Sequence, residues 1–504
     1  VIDITSTTGT PALTTNTVTA APNGGLEVTN PQLGSNPVIN IKEQTGLPAA
    51  VTGGTPTQYT NASVTVNKHG IIEAIASGSA SGLGWVNVVD HGAVGNGSRD
   101  NVTEIAAAIA ALPNAGGVLY FPDGDFVTSG QHTISGKPVW IKGAGMDITR
   151  VRFTGQYGGF IIDLSGGVST HIAGIADGFE STVSDMTIQT TRAGGGEAGP
   201  ITNNVYPSEN NALDFRGEFT AGIVDPSIHV DRVHFQGQTP QAYWHRCIKL
   251  IDCPAAKVEN CLISGDNWPS ATPTNRQRVG TQSGIYIGAS VGVNNPPGTR
   301  PTEYHVTNCN FFFCKNGIEL SGRSNAGETA DSSADPEGLY VVNCGLTACE
   351  FGINSHAEYS ITGVQVMNCH FACSKGGVHG WFDQAFVNNN LMYIREESYT
   401  GASCIHFDSQ AVALGQAENT GNITDTPAHV GAGPGLHRSF IVSNNIFVNN
   451  SNTAAPDLGS SNPVGVMIGE GQSSPTIEGV IVANNHWQWK GTGPALWIRQ
   501  SCLD

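Results

Sequence analysis

Short segments of alternating apolar and polar residues recur along the C-terminal two-thirds of the chain. Each has six residues, with apolar side chains at its second and usually its fourth position. The copies are ALDFRG (212–217), CIKLID (247–252), GIYIGA (284–289), GIELSG (317–322), GINSHA (352–357), GVHGWF (377–382), CIHFDS (404–409), GVMIGE (465–470) and ALWIRQ (495–500). Because successive side chains of a strand point to opposite faces, the pattern predicts short β-strands with one buried face.

A second pattern alternates with the first and consists of an apolar residue, any residue, Asn, and then Cys or Asn. Its copies are KVENC (257–261), HVTNC (305–309), YVVNC (340–344), QVMNC (365–369), FVNNN (386–390), IVSNN (441–445) and IVANN (481–485). From CIKLID onward one such segment precedes each strand copy, with VDRVHF (230–235) supplying the first. The two patterns therefore form a repeating unit.

The repeat has a spacing of about 35 residues, which is typical of stacked structural units. Since each unit contains short strands and no helical pattern, it predicts the coils of a parallel β-solenoid, stacked about 4.8 Å apart. Equivalent residues then lie above one another, so Asn260, Asn308, Asn343 and Asn368 are predicted to form a hydrogen-bonded ladder at a turn. The chain has eleven cysteines, several inside the repeat. They are predicted to be buried thiols, although the coil spacing also permits a few disulfides.

A glycine-rich segment at 92–100 precedes an alanine-rich segment at 101–112 and looks at first like a phosphate-binding loop. No Gly-Lys-Ser/Thr follows, and the downstream sequence is a β-repeat rather than a βαβ unit, so nucleotide binding is not expected. The first coil of a solenoid exposes its apolar end. A helix at about 101–112, N-capped near Asp100 or Asn101 and ended by Pro113, is predicted to cover it.

The order of motifs around this helix resembles the pectate-lyase-like right-handed β-helix superfamily. The glycine motif is formed by Asp90, Gly92, Ala93, Gly95 and Gly97. It is followed by G-G-x-x-x-F-P-x-G at 116–124 and by G-x-G at 143–145. The resemblance implies an all-β fold, namely a right-handed single-stranded parallel β-helix with an N-terminal capping helix. It says little about activity, because the superfamily includes lyases, hydrolases and phage tailspikes.

The N-terminal segment resembles a different kind of structure. Residues 55–79 are similar to short β-modules of phage tail fibres, and residues 1–54 are rich in Thr, Pro, Asn and Gly and nearly uncharged. We therefore expect a β-rich attachment region at 1–81 and a β-helix domain at 82–504. The whole chain resembles a bacteriophage tailspike. That resemblance implies a homotrimer on the virion, attached to tail or baseplate proteins through the N-terminal region and acting extracellularly on a bacterial surface polysaccharide.

Composition and charge exclude other partners. Only 13% of the 504 residues are charged, and the formal net charge is −18. Proteins that bind nucleic acids or anionic membranes present basic patches, so neither partner is expected. No apolar run reaches the roughly 18 residues of a membrane span, so membrane insertion is not expected either.

The candidate site follows from stacking of the strand copies. The third position of the copies points outward and reads Asp214, Lys249, Tyr286, Glu319, Asn354, His379, His406, Met467 and Trp497. The outward fifth position adds His356, Trp381 and Asp408, and the seventh adds Glu358 and Asp383. An aromatic ring beside imidazoles, amides and carboxylates suits a sugar. The predicted substrate-binding residues are Glu319, Asn354, His356, His379, Trp381, His406 and, in the insertion at 264–283, Trp268.

Glycoside hydrolysis requires two carboxyl groups, about 6.5–9.5 Å apart for inversion of configuration. Asp383 and Asp408, treated as one coil and two strand positions apart, would be separated by ~8 Å. They are the predicted acid and base, and Glu358 is a third carboxylate that raises a neighbour's pKa. No cofactor or metal is expected for hydrolysis. Two alternatives stay open: a polysaccharide lyase using a His base, for which Ca²⁺ is possible, and a glycan-binding adhesin or structural tail protein without activity.

Overall fold

The computed structural model describes the chain in segments. These are residues 62–66, 72–77, 84–164, 181–192, 210–217, 228–265, 281–288, 302–321, 336–355, 361–380, 382–394, 403–408, 436–449, 464–470, 476–489 and 495–498. The chain separates into two compact units, Val1–Gly82 and Leu83–Asp504. In the first unit, strands β1 (Ala62–Val66) and β2 (Ile72–Ser77) form an antiparallel pair. The division of roles between an attachment region at 1–81 and a β-helix at 82–504 stays a prediction.

The second unit is a right-handed parallel β-helix, as predicted. One long sheet, sheet 1, has eleven strands. They are β7 (His132–Ser135), β10 (Phe160–Asp163), β12 (Asn211–Arg216), β14 (Arg246–Ile251), β17 (Ser283–Gly288), β20 (Asn316–Ser321), β23 (Phe351–Ser355), β26 (Gly376–Gly380), β29 (Ser403–Asp408), β33 (Val464–Glu470) and β37 (Leu496–Ile498). All its neighbouring strands are parallel, so each coil of the chain contributes one strand.

Sheet 2 contains the strands that precede the turn of each coil, which is an Asn turn from Asn260 onward. They are β3 (Trp85–Asn87), β5 (Gly117–Phe121), β8 (Val139–Gly143), the first halves of β11 (Ser181–Thr190) and β13 (Ile228–Gly237), β15 (Lys257–Glu259), β18 (Thr302–Thr307), β21 (Glu337–Val342), β24 (Ile361–Met367), β27 (Phe382–Asn388), β31 (Ile441–Ser443) and β35 (Ile481–Ala483). Parallel pairing again links consecutive coils.

Sheet 3 contains the strands that follow the turn, so each complete coil runs from sheet 2 to sheet 3 to sheet 1. They are β4 (Asn96–Asp100), β6 (Gly124–Thr128), β9 (Thr149–Phe153), the second halves of β11 and β13, β16 (Leu262–Ser264), β19 (Asn310–Phe312), β22 (Gly345–Thr347), β25 (His370–Cys373), β28 (Leu391–Ile394), β32 (Ile446–Asn449) and β36 (His486–Trp489). A separate parallel pair joins β30 (Leu436–Arg438) and β34 (Thr476–Glu478).

The predicted helix is present as α1 (Val102–Ala111), after a short 3-10 helix at Val88–His91. The Asp100 carboxylate accepts a hydrogen bond from the Val102 backbone N–H at 3.2 Å, which satisfies one of the free donors at the helix start. Ile105 and Ala108 are fully buried in the solenoid core. The helix therefore covers the apolar start of the first coil.

The predicted Asn residues stack at the turn between sheets 2 and 3, and a side-chain hydrogen bond joins the first pair, Asn260 and Asn308. Each turn residue has a left-handed backbone with φ between 54° and 57°, a conformation that Asn tolerates better than most residues. The stack includes Asn260, Asn308, Asn343, Asn368, Asn389, Asn444 and Asn484. Asn308 Nδ2 donates to Asn260 Oδ1 at 3.3 Å. The side chain thus supports both the turn and the stacking of coils.

The residue after each turn Asn points inward and is first Cys and then, in later coils, Asn. The ten described cysteines are all buried and none forms a disulfide with another, as predicted for buried thiols. Cys309 Sγ donates to the Val258 carbonyl at 3.5 Å. Asn445 Nδ2 donates to the Val387 carbonyl at 2.9 Å in the equivalent position. Burial raises the pKa of the Cys247 and Cys404 thiols above their usual range, so both are held as unreactive thiols.

Candidate functional site

The outward column predicted along sheet 1 is confirmed residue by residue in the strand register. Each member pairs with the next in the adjacent strand. The pairs run Asp214, Lys249, Tyr286, Glu319, Asn354, His379, His406, Met467, Trp497. Of the predicted substrate-binding residues, Glu319, Asn354, His379 and His406 therefore lie on four consecutive strands of one face.

Pointing outward does not make this column exposed. Glu319 and Asn354 are each 2% exposed, and Asp214, Lys249 and Tyr286 are also buried. An outward direction therefore does not give solvent exposure at these five residues. A second outward column lies beside the first and is buried as well; its polar members include Asn211, Arg246, Ser283, Asn316 and Ser403.

A continuous hydrogen-bond chain connects the two columns. The carboxylate of Glu319 accepts hydrogen bonds from Ser283 Oγ and, at 3.4 Å, from Asn316 Nδ2. Asn354 Nδ2 donates to Asn316 Oδ1 at 2.9 Å. His379 Nδ1 lies 2.8 Å from Asn354 Oδ1. The chain thus begins at a buried carboxylate and ends at a half-buried imidazole.

The imidazole of His379 lies between two other rings. The ring of Phe351 is stacked on it, with centroids 5.2 Å apart and planes 26° apart. The His406 ring lies on its other neighbour strand, with centroids 4.8 Å apart. The Nε2 atom of His406 is buried, and loss of hydration lowers the pKa of His406 to about 4. At neutral pH His406 is therefore an uncharged neighbour of His379.

Charged groups lie on the preceding strands of the same face. The Arg246 guanidinium lies 4.0 Å from the centre of the Tyr286 ring. Arg216 binds the Asp214 carboxylate at 2.9 Å, and Lys249 Nζ lies 4.0 Å from it. Arg216 and Lys249 therefore offset the negative charge of Asp214 on this face.

A buried ion pair lies at the edge of sheet 1 close to the imidazoles. Lys375 Nζ is 2.7 Å from Glu350 Oε2, and both side chains are almost completely buried. Lys375 also lies 5.9 Å from the centre of the Phe351 ring. The pair therefore supports the ring that stacks on His379.

Sequence reasoning missed the second column and this ion pair. The signal was present, because Arg246, Ser283 and Asn316 occupy one register position of three successive strands, and Ser403 holds the same position farther along the sheet. That position precedes the apolar pair by which the strand copies were recognised, so it was not examined as a column.

The predicted carboxylates Asp383 and Asp408 lie on different sheets. Asp383 is in β27 of sheet 2, where it pairs with Thr362, because β26 of sheet 1 already ends at Gly380. Asp408 is the last residue of β29 in sheet 1 and pairs with Glu470 after a register shift. The predicted separation of ~8 Å assumed that both residues lie on sheet 1, so it no longer applies. Their catalytic role stays a prediction. Their side chains, and all of Glu358, His356, Trp381 and Trp268, lie outside the described residues.

The described segments were searched for metal-binding groups and for membrane-spanning helices. They contain no group of three or more His, Cys, Asp and Glu side chains arranged to hold a metal ion. None of the helices among them is long and apolar enough to cross a membrane.

Comparisons with solved structures return parallel β-helices of low sequence identity. DFA-IIIase from Arthrobacter chlorophenolicus A6 without its lid is 13% identical, covers 83% of this chain and 92% of its own, and has a TM-score of 0.48. A hyperthermoactive exopolygalacturonase from Thermotoga maritima is 10% identical over 81% and 93% of the two chains, with a TM-score of 0.37. ORF18 of Geobacillus virus E2 is 14% identical over 80% and 62%, with a TM-score of 0.35.

No curated protein matches the chain. A family model does match, over residues 85–379, which is more than half of the sequence and includes the hydrogen-bond chain from Ser283 to His379. The chain belongs to the rhamnogalacturonase A/epimerase, pectate lyase-like family.

Proposed function

We propose that this chain is a bacteriophage tailspike that binds a bacterial surface polysaccharide, a capsule or an O-antigen, and depolymerises it by glycoside hydrolysis. The observation that carries the proposal is the unbroken column of hydrogen-bonding side chains on the outer face of sheet 1, within a chain of a pectate lyase-like family. The five residues of this column from Asp214 to Asn354 are buried, whereas His379 and His406 are half-buried, so direct glycan contact is proposed at these two imidazoles on neighbouring strands.

The proposed catalytic carboxylates are Asp383 and Asp408, of which one is the general acid, with Glu358 as the neighbouring carboxylate. Asp383→Asn or Asp408→Asn should lower turnover by about 10²–10⁴-fold, because a proton donor or acceptor is lost while the side-chain shape is kept. Glycan binding should be unchanged in both variants. Full activity in both would remove these residues from the mechanism and leave the substrate proposal intact.

Product analysis on purified host polysaccharides tests the reaction itself. New reducing ends without an ultraviolet-absorbing unsaturated sugar would support hydrolysis. An unsaturated product would establish the lyase, which is the second candidate because two imidazoles, those of His379 and His406, lie side by side on this face. Binding without any change in chain length would establish an adhesin.

The proposal includes assembly as a homotrimer on the virion, with the N-terminal region attached to tail or baseplate proteins. The resemblance of residues 55–79 to tail-fibre modules supports it. Light scattering on the full chain should give three times the mass of 52.6 kDa. A monomer would contradict the trimer without touching the proposed activity.

A further inference from the structure

The hydrogen-bond chain on sheet 1 has a direction that is set by its carboxylate end. A carboxylate only accepts hydrogen bonds, so the amide NH₂ of Asn316 must face Glu319. The carbonyl oxygen of Asn316 is then the group that accepts from the Asn354 NH₂. Each amide in the chain is therefore oriented by the one before it.

The same hydrogen-bond direction applies to His379, the last residue of the hydrogen-bond chain. Because the NH₂ of Asn354 is used toward Asn316, its Oδ1 is the atom that faces His379 Nδ1. A carbonyl oxygen needs a donor at 2.8 Å, so Nδ1 carries a proton. In the neutral ring the lone pair then belongs to Nε2, since one imidazole nitrogen donates and the other accepts.

We propose that Glu319, Asn316 and Asn354 are positioning residues that hold His379 as its Nδ1–H tautomer, and that His379 Nε2 is the general base of this site. The inference rests on the proposed function for its substrate, a glycan. Orienting a catalytic imidazole through the hydrogen bond at its other nitrogen is a general device of enzyme sites.

The proposed step transfers one proton to His379. Nε2 takes a proton from a water molecule while the water oxygen forms a bond to the anomeric carbon and the glycosidic C–O bond breaks. The leaving oxygen takes its proton from a carboxylic acid of the site. The imidazolium and the carboxylate then return to their starting states by proton exchange with solvent.

The surroundings of His379 favour this role. It is half-buried, whereas Glu319, Asn316 and Asn354 are at most 3% exposed, so it is the member of the chain that reaches the outer surface. Phe351 stacks on one face of its ring and fixes the ring plane. His406, whose pKa is about 4, adds no positive charge at neutral pH, so it does not oppose protonation of His379.

The tautomer can be measured without any substrate. In the full-length protein labelled with ¹⁵N-histidine, the His379 signals are identified by their loss in His379→Gln. We expect a protonated Nδ1 and an unprotonated Nε2 at neutral pH. The opposite tautomer in the wild-type protein would overturn the proposal, and this result does not require any positioning variant to fold.

The kinetic arm uses matched variants on two sheets. His379→Gln should lower kcat by about 10²–10⁴-fold, and Asn354→Leu should lower kcat with little change in KM. His305→Gln, on the outer face of sheet 2, should leave both constants unchanged. Full turnover in His379→Gln with a cleaving wild type would overturn the base assignment and leave the proposed function standing. A wild type that cleaves no glycan would overturn the proposed function and with it the base role, while the tautomer is decided separately by NMR.

Discussion

The outer face of sheet 1 differs from the outer faces of sheets 2 and 3 in the solvent exposure of its outward residues. On sheet 1, outward polar residues are buried, with Glu319 and Asn354 each 2% exposed. On the other sheets, outward apolar residues remain open to solvent, with Phe386 41% and Ile481 50% exposed. Strand alternation therefore determines which way a side chain points, but not whether water reaches it.

The difference lies in the free-energy cost of burying polar groups, which arises on sheet 1. Burying a polar group is unfavourable unless its hydrogen bonds are replaced, and the chain from Ser283 to His379 replaces them side chain by side chain. An exposed isoleucine or phenylalanine costs little in comparison and needs no special explanation. Sheet 1 buries its polar network almost completely, whereas the network of Asp185 with Arg232, Lys142 and Ser184 is partly exposed, and this difference supports the proposal that sheet 1 is the functional face.

The largest difference in stability between the two faces is expected at the buried ion pair of sheet 1. Lys375→Met leaves the Glu350 carboxylate buried without its cation, and we expect a loss of about 3–5 kcal/mol in the free energy of unfolding. The matched variant Lys257→Met, at an exposed site on sheet 2, should change it by less than about 0.5 kcal/mol. Urea denaturation measures both. Equal effects would show that the two faces do not differ in burial as described.

Acid should act on sheet 1 through His406. Its pKa is about 4 in the folded protein and about 6.5 in an unfolded chain, so the unfolded chain binds more protons between these values. Stability is then fully present above pH 6.5 and declines as the pH falls toward 4, by up to about 3 kcal/mol from this group. His406→Gln should lose less stability than the wild type between pH 6.5 and 4. An identical pH dependence would contradict the burial of this ring.

Sheet 2 should respond in a more acidic range, at Asp185. Partial burial by itself raises the pKa of this carboxyl, but hydrogen bonds from Arg232, Lys142 and Ser184 outweigh it and lower the pKa to about 2. Its stabilisation is present above the unfolded value near 4 and is lost as the pH falls toward 2.

Asp185→Asn should therefore cost about 1–2 kcal/mol at neutral pH, and Asn tolerates the φ of 60° at this position. Denaturation at pH 7 and pH 2 measures the effect. A loss that is as large at pH 2 as at pH 7 would assign the effect to packing rather than charge.

The smallest effect is expected on the exposed apolar residues. Ile446→Thr, at a residue 45% exposed on sheet 3, should change the free energy of unfolding by less than about 0.5 kcal/mol. Denaturation at several protein concentrations is the measurement. A loss above 1 kcal/mol that grows with concentration would show that another subunit covers this face in solution.

Much of the architecture could be predicted because a solenoid repeats its signals. The two-residue period of each strand copy and the recurring Asn placed Glu319, Asn354, His379 and His406 in one column, and the register confirms that order. The turn Asn residues could be recognised because few other side chains tolerate a left-handed backbone.

The errors arise where the chain leaves one sheet for another. Alternation continues through GVHGWFD (377–383), yet β26 ends at Gly380, whose φ is 146°, and β27 begins at Phe382. A single residue between strands leaves no loop for sequence reasoning to detect, so Asp383 was assigned to the wrong sheet. The hydrogen bonds of Glu319 were missed for another reason, since its partners Ser283 and Asn316 occupy a position outside the strand pattern by which the copies were recognised.

Hydrogen–deuterium exchange of the full chain with and without an oligosaccharide of a susceptible host tests the central claim most directly. We predict slower exchange on binding in peptides that contain β20, β23, β26 and β29 of sheet 1, with no change in β32 and β36 of sheet 3. Protection confined to the exposed strands of sheets 2 and 3, with sheet 1 unchanged, would contradict the assignment of the functional face.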